Sequence, residues 1–142
     1  MTTAIELARY IVNKCVEDNH PITNLQLQKI LYYIQRDYLK KHNTRAFMDH
    51  VEAWQFGPVV PDVYYAFCYY GAMPIENCYD NTTDMDIDDL DMVDRIVEEK
   101  RDLEPWDMVN DTHKRGGAWD KTYKDGAGNR STINIDLIRR DK

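Results

Sequence analysis

The first apolar pattern in the chain has the spacing of an amphipathic helix. Thr3 and Glu6 have the Thr-x-x-Glu form of a capping box, in which a hydroxyl and a carboxylate satisfy the first free amides of a helix. Apolar residues follow at intervals of three and four. The pattern predicts a first helix over about residues 3–18, which the segment 19–22 ends.

A second helix follows, with one apolar and one polar face. Thr23 and Gln26 repeat the capping pattern, and the apolar spacing behind them predicts a helix over about residues 24–41. The polar residues expected on its exposed face are Asn24, Gln28, Lys29, Gln35 and Arg36. With the short turn between them, the two helices resemble the beginning of a helix–turn–helix.

The middle of the chain changes from helical to extended and back. Residues 47–56 alternate imperfectly between apolar and polar positions, which predicts a short strand. Residues 56–61 contain one glycine and two prolines and predict a rigid loop. The segment 61–70 predicts a short helix that is apolar or aromatic on nearly every side.

The rest of the chain predicts further helices joined by polar turns. Apolar spacing indicates helices over residues 87–101 and about 103–113, and a last short helix that Asn134 caps. The fold class predicted is therefore mainly α with at most a small β element. We expect one compact single-domain helical bundle over residues 1–142, with a short strand or extended segment near residues 47–56.

Composition fits a packed domain, because 43% of the residues are apolar and 11% are aromatic. No stretch approaches the roughly eighteen consecutive apolar residues that a membrane span requires. The N-terminus lacks a basic region followed by an apolar run, so a secretory signal is not predicted. We therefore expect a cytoplasmic protein that does not enter a membrane.

Charge is distributed unevenly along the chain, whose net charge is −7. Residues 46–94 contain eleven acidic residues and no Lys or Arg, whereas the segments on either side are slightly basic. An acidic block of this kind repels phosphate and attracts basic surfaces. It argues against a general nucleic-acid binder and favours a basic protein partner.

Neither a metal nor a cofactor is predicted. The three aspartates of the segment 84–88 have the opening spacing of a calcium-binding EF-hand loop. However, Asp89 stands where such a loop needs Gly, and Arg95 stands where it needs a bidentate Glu. The segment is therefore interpreted as the solvated acidic start of a helix. The scattered His and Cys residues do not have the spacing of a zinc site.

Catalysis is not predicted either, because the chain has no nucleophile elbow, no HExxH and no phosphate-binding glycine loop. The three cysteines, Cys15, Cys68 and Cys78, are expected to be reduced, inert thiols in apolar surroundings. His113 is the best single candidate for an active imidazole. A His that ends a helix is nevertheless typical of capping and dipole interactions, so we predict that the protein is not an enzyme.

Aromatic residues are concentrated in the segment 54–70, where seven fall within seventeen positions. A short helix that is apolar on all sides either lies in the core or offers a face to a partner. Because Tyr and Trp are enriched at the energetic centres of interfaces, this segment is the predicted protein-binding surface. The residues predicted near the contact are Trp54, Phe56, Pro58, Tyr64, Tyr65 and Phe67.

A DNA-binding regulator is the alternative prediction. The polar residues assigned to the exposed face of the second helix, residues 24–41, are of types that contact base edges or phosphates. A sequence pI near 5.0 lacks the basic footprint of most DNA-binding domains, so nucleic acid remains the weaker prediction.

Three blocks of sequence together resemble a known family. They are residues 23–33, residues 52–64 with the pattern Trp-x-x-Gly-Pro-Val-Val-Pro-x-Val-Tyr, and Thr112-His113 with Trp119. In order and over about residues 3–140 they resemble the Panacea domain family, which includes SocA-like antitoxins and phage-associated proteins. One departure is Ala118, where the family commonly has Pro.

The resemblance implies an antitoxin that neutralises a protein toxin, often the product of an adjacent gene, by forming a complex with it. It also implies, for one branch of the family, an adaptor that delivers the toxin to a bacterial protease. It carries no catalytic residues and no cofactor to this chain. The identity of the toxin, a role for a protease and a homo-oligomeric state all stay open.

Overall fold

The computed structural model describes residues 2–80 and 83–142, and its central element is the helix α2 (Asn24–His42). The other helices that the structure describes are α1 (Ala4–Glu17), α3 (Pro61–Ala66), α4 (Ile87–Lys100), α5 (Pro105–Thr112), α6 (Ala118–Tyr123) and α7 (Ile135–Arg140). Short 3-10 turns lie at Cys68–Tyr70 and Lys124–Gly126. The mainly α fold class predicted from the sequence is confirmed.

The predicted helix starts are confirmed by their caps. The Thr3 hydroxyl accepts a hydrogen bond from the Glu6 amide, and Thr23 and Gln26 form a complete capping box at the start of α2. The Asn134 side chain accepts from the Asp136 amide at the start of α7. These bonds satisfy amides that have no partner inside the helix, which is why short polar side chains mark helix starts so reliably.

A three-stranded antiparallel sheet packs against this bundle, in the order β2–β1–β3. The strands are β1 (Glu52–Trp54), β2 (Gly57–Val59) and β3 (Ser131–Thr132). The sequence predicted only one extended segment, followed by a rigid loop. That loop is instead the second strand of a tight hairpin, in which Trp54 lies opposite Gly57.

The segment 61–70 departs from one continuous helix. The helix α3 ends at Ala66 and a 3-10 turn continues to Tyr70, after which Gly71 has a positive φ of 56°. Val63 and Phe67 are the side chains that this segment buries in the core, and Tyr65 is exposed. The segment therefore presents a buried side and an aromatic outer side, in place of an element apolar all round.

The helix α2 is enclosed, because it contacts α1, α3, α4, α5, α7 and β2. The prediction that its polar residues lie on an exposed face is therefore wrong. Asn24, Gln28, Lys29 and Gln35 are all buried, and Arg36 is only partly exposed. Apolar spacing identifies the face that packs on apolar neighbours, but it does not reveal that the opposite face is covered by loops.

The buried polar side chains of α2 hold those loops through their backbone groups. The Gln35 side chain accepts a hydrogen bond from the Ala46 amide at 2.7 Å and donates to the Phe47 carbonyl oxygen at 2.9 Å. Buried backbone groups need such partners, since an unmet group costs about 1–3 kcal/mol. These polar residues are thus part of the core.

Two buried tyrosines of α2 hold the C-terminal half of the chain. The Tyr32 hydroxyl donates to a carboxylate oxygen of Asp141, and the Tyr33 hydroxyl donates to Asp111 at 2.5 Å. Burial, together with these carboxylates, raises the pKa of both hydroxyls far above the usual value for tyrosine. Both hydroxyls therefore stay protonated in the folded protein and keep donating at alkaline pH.

The three cysteines differ in their burial. Cys15 is buried, whereas Cys68 and Cys78 are exposed, so the expectation of apolar surroundings is wrong for the last two. All three are free thiols. Among the residues described, no helix is both long enough and apolar enough to cross a bilayer.

Candidate functional site

The three blocks that carry the family resemblance meet at the β1–β2 hairpin. Lys29 comes from α2, Gly57 and Pro58 come from β2, and Thr112 comes from the end of α5. The Lys29 ammonium nitrogen Nζ donates to the Pro58 carbonyl oxygen at 3.0 Å. A Cβ placed on Gly57 would lie 2.8 Å from Lys29 Cε and 2.9 Å from Thr112 Oγ1, so only glycine fits under this hairpin.

Lys29 is an amine enclosed by protein, with a relative exposure of 0%. In the part of the chain that the structure describes, no carboxylate lies within ion-pair distance of its nitrogen. Burial lowers the pKa of Lys29 from 10.5 to about 7. The amine is therefore largely uncharged above neutral pH and serves as a hydrogen-bond donor to the hairpin backbone.

His113 lies in the layer that supports the hairpin. Its ring stacks on Trp119 with centroids 3.6 Å apart and planes 3° apart. The Trp119 indole N–H then donates to the Trp54 carbonyl oxygen at 2.7 Å. Burial first, and the charge of Lys29 second, lower the pKa of His113, which favours the neutral ring.

His113 has one buried nitrogen without a hydrogen-bond partner among the described residues, and the hydroxyl next to it in sequence is bonded elsewhere. Its Nε2 atom is buried and has no hydrogen-bond partner among the residues described. The nearest hydroxyl in sequence, that of Thr112, donates to the Val109 carbonyl oxygen at 2.9 Å, so it is committed to the helix. The geometry therefore assigns His113 to positioning Trp119 and, through it, β1.

Five aromatic side chains around the hairpin form two groups of contacting rings, which together we call the aromatic face. It comprises Trp54, Phe56, Tyr64, Tyr65 and Trp106. The ring centroids of Trp54 and Tyr64 are 5.0 Å apart, and those of Phe56 and Trp106 are 5.3 Å apart. Phe56, Tyr65 and Trp106 are 48%, 54% and 58% exposed, which is unusual for side chains of this size.

The structure brings together four of the six residues predicted near the contact and separates two. Trp54, Phe56, Tyr64 and Tyr65 all belong to the aromatic face. Pro58 is buried, and Phe67 is only 2% exposed, with its ring packed 5.5 Å from that of Tyr79. Because both are buried, neither can be touched by a partner in this fold.

Two residues of this surface were missed by sequence reasoning. Trp106 reaches Phe56 from the first turn of α5, and its exposed position just after Pro105 is a signal that could have identified it. The guanidinium carbon of Arg130 lies 4.2 Å above the Trp54 ring, and its Nη1 donates to the Tyr65 hydroxyl at 3.2 Å. Only the pairing of β3 with β1 brings Arg130 here, so no local pattern reveals it.

A groove of about 470 Å³ runs beside the aromatic face. Its walls include Trp54, Phe56 and Tyr64, and Arg130 lies at its rim. The buried side-chain amides that line the groove already have hydrogen-bond partners. Asn24 donates to the Tyr64 carbonyl oxygen, and Gln28 accepts from the Val60 amide. An apolar groove with a rigid, satisfied floor and a polar rim is suited to taking up side chains of a protein partner.

The acidic block divides into buried and exposed carboxylates. Asp89 is buried and accepts from His42 at 2.8 Å, and Asp94 accepts from the Tyr10 hydroxyl. Asp86, Asp88 and Asp91 are exposed around the start of α4. Within the described ranges, no group of three or more His, Cys, Asp or Glu side chains could hold a metal ion.

Comparisons with known proteins identify relatives of the chain. The profile of the family described as "Antitoxin SocA-like, Panacea domain" matches residues 27–120, which contain most of the three blocks that meet at the hairpin. A protein named Antitoxin SocA, from Caulobacter vibrioides (strain NA1000 / CB15N), is 28% identical over 127 residues. The match covers 80% of this chain and 66% of that relative, so the chain spans about two thirds of the relative's length. No solved structure matches.

Proposed function

The chain belongs to the SocA-like Panacea family of antitoxin domains, and from this premise we propose that it neutralises a protein toxin by binding it directly through the aromatic face. The observation that carries the proposal is the exposure of Phe56, Tyr65 and Trp106 on the aromatic face, beside a groove that Trp54, Phe56 and Tyr64 line. Large, rigid aromatic side chains bury much area at little entropic cost. Exposed aromatic side chains that cluster on one face are typical of a protein-binding site.

The aromatic face is also preorganised for binding. Trp54 is held from below by the Trp119 indole through its carbonyl group and from above by the Arg130 guanidinium. The Arg130 contact with Tyr65 further restricts that ring. A surface whose side chains are already ordered loses less conformational entropy when a partner binds.

We predict that Tyr65→Ala weakens binding of the toxin by at least about tenfold, because interface hot spots contribute more than about 1.4 kcal/mol each. Phe56→Ala is expected to have a similar effect through its loss of contact with Trp106 and the partner. Purified variants would be titrated with the toxin by calorimetry. Circular dichroism and thermal melts would establish that each variant remains folded.

Tyr69→Ala is the matched control, because Tyr69 is 94% exposed and its ring packs against Tyr70, away from the aromatic face. It removes the same side chain from the same segment and should leave affinity unchanged. Equal affinities for the Tyr65→Ala, Phe56→Ala and Tyr69→Ala variants would show that the toxin binds elsewhere. That result would contradict the proposal that the aromatic face binds the toxin.

The exposed carboxylates at the start of α4 are proposed to attract a basic toxin. We predict that Asp88→Asn together with Asp91→Asn slows association several-fold at low salt and leaves dissociation nearly unchanged, since long-range charge acts mainly on encounter. Stopped-flow or surface-based kinetics at two salt concentrations would measure both rates. An association rate that is independent of salt in the wild-type protein would contradict this part of the proposal.

The first experiment in cells is co-expression with the product of the adjacent gene. Growth that is arrested by that product and restored by this chain, with a complex recovered in a pull-down, would support neutralisation by binding. Toxin levels would distinguish occlusion from delivery to a protease. A stable toxin in a stable complex indicates occlusion, and toxin loss that depends on a host protease indicates an adaptor.

The burial of the polar face of α2 argues against the DNA-binding alternative. The residues of α2 proposed to contact DNA are buried, apart from Arg36, and Lys29 donates to the protein backbone. We also propose that the protein acts without catalysis, because the His113 ring stacks on Trp119 and the neighbouring Thr112 hydroxyl donates to the Val109 carbonyl oxygen. A substrate-dependent activity that disappears in a folded His113→Ala variant would overturn that view.

A further inference from the structure

A second pocket, of about 380 Å³, lies between the loop that precedes α6 and the C-terminal end of α7. We call it the basic pocket, because half of its lining residues are cations. These are Lys114, Arg115, Lys121, Arg140 and Lys142. This concentration stands out in a chain whose net charge is −7.

Among the residues that the structure describes, no acidic side chain forms an ion pair with a cation of the basic pocket. Lys114 donates to the main-chain oxygen of Lys142. Arg115, Lys121, Arg140 and Lys142 are all exposed.

The one carboxylate in the pocket wall is already committed. One carboxylate oxygen of Asp141 accepts a hydrogen bond from the Tyr32 hydroxyl, and the other accepts one from the Ala118 amide at 3.4 Å. The Asp141 side chain is buried. It therefore holds α7 and α6 to the core, and its single negative charge leaves the five lining cations in excess. Like charges held around a concave surface repel one another, and a bound anion relieves that repulsion.

We propose that the basic pocket binds a small molecule bearing a phosphate or diphosphate group. Arg140 can offer two parallel N–H donors to phosphate oxygens, while Lys121 and Arg115 add positive charge from the facing wall. The backbone amides of Gly116 and Gly117, just before α6, are not available to the ligand. They already donate to Asp120 and to the Lys114 carbonyl oxygen, respectively.

The shape of the pocket favours a compact anion over a nucleic acid. Its cations line one concavity, whereas a duplex requires cations spread along an extended stripe that follows the phosphate backbone. The acidic block elsewhere on the chain would repel a long polyanion but would act weakly on a small ligand, because charge is screened beyond about 10 Å at 0.1 M salt.

The basic pocket is independent of the aromatic face. The two pockets share no lining residue, so a ligand in one leaves the other free. Lys121, Arg140 and Lys142 also lie beyond residue 120, where the match to the family profile ends. The proposal therefore concerns a property of this chain that family membership does not supply.

Calorimetric titration with pyrophosphate and with inorganic phosphate, at constant ionic strength, tests the proposal. We expect saturable binding of pyrophosphate to one site and an increase in Tm with ligand concentration, because a ligand that binds only the folded state stabilises it. Arg140→Gln and Lys121→Gln should each weaken binding about tenfold, which corresponds to one charge-assisted hydrogen bond.

Arg95→Gln is the matched control, since Arg95 is an exposed cation on α4 outside the pocket, and its loss changes the net charge equally. This variant should bind pyrophosphate like the wild type. Two results would overturn the proposal. One is the absence of saturable pyrophosphate binding, or equal weakening in the Arg95→Gln variant. The other is tighter binding of a short DNA duplex that Arg140→Gln abolishes, which would assign the pocket to nucleic acid.

Discussion

Replacing Gly57 by alanine is expected to destabilise the protein by about 4 kcal/mol, which is a large part of the 5–15 kcal/mol that typically holds a domain folded. The new Cβ would meet Lys29 Cε at 2.8 Å and Thr112 Oγ1 at 2.9 Å, inside van der Waals contact. Gly57 also has a φ of 115°, which strains any residue with a side chain. Urea denaturation followed by circular dichroism would measure the loss.

Neither neighbour of Gly57 can move away without cost. Lys29 is enclosed by protein and donates to Pro58, while the Thr112 hydroxyl donates to Val109, so displacing either one breaks a buried hydrogen bond. Overpacking of this kind typically costs about 1–3 kcal/mol, and backbone strain adds a similar amount.

Gly126→Ala separates these two contributions. Gly126 has a comparable φ of 103°, and nothing lies within 4 Å of a Cβ placed on it, so only backbone strain of about 1–2 kcal/mol is expected. If the Gly57→Ala and Gly126→Ala variants lost the same free energy of unfolding, the close approach of the hairpin to Lys29 and Thr112 would contribute nothing to the effect at Gly57. Packing under the hairpin would then not explain why glycine occupies position 57.

The second large effect expected is a rise in stability with pH that depends on Lys29. Its pKa is lowered from 10.5 in the unfolded chain to about 7 in the folded protein by burial. Between those values the unfolded chain binds a proton that the folded protein does not, so the free energy of unfolding increases with pH. Each pH unit contributes about 1.4 kcal/mol, or about 3 kcal/mol between pH 7 and pH 9.5.

Lys29→Met should abolish this contribution, because methionine has a similar length and does not titrate. Below pH 7 both states of the wild-type chain carry the proton, so Lys29 adds no slope there. Above pH 10 the buried tyrosines act in the opposite direction, since their raised pKa values mean that only the unfolded chain loses those protons. The informative range is therefore pH 7 to 9.5, measured by urea denaturation at several pH values.

Lys40→Met is the matched control on the same helix. Lys40 is exposed, so the same substitution should leave the slope of the wild-type protein in place. Parallel pH profiles for the wild type and the Lys29→Met variant would mean that Lys29 keeps its proton in the fold. That result would require an anion or water beside Lys29 and would contradict the assignment of an uncharged amine.

The boundaries of the helices followed from local chemistry and could be predicted. Thr3, Thr23 and Asn134 each satisfy an amide only three residues or fewer away, so the signal lies within a few residues of sequence. The aromatic content of the hairpin and of α3 was equally visible, and four of the six predicted contact residues do meet on one surface.

The second strand of the hairpin could not be predicted with the same methods. The segment Gly57–Val59 is short, contains a proline and lacks alternation, so it has no strand pattern of its own. Its extended form arises from pairing with β1 and from the hydrogen bond that Lys29 donates to Pro58. Neither partner can be identified from the residues of the segment itself.

By itself, the sequence determined most of the segments that become helices, although not α6, and where several of them begin. It also determined that large aromatic residues are concentrated in the segment 54–70. Only the tertiary structure decided that Lys29 and Gln35 are core residues, that Phe67 is buried while Trp106 is exposed, and that Arg130 covers Trp54. Capping and periodicity act through neighbours along the chain. Burial and pairing depend on elements brought together by folding, whose positions local patterns do not contain.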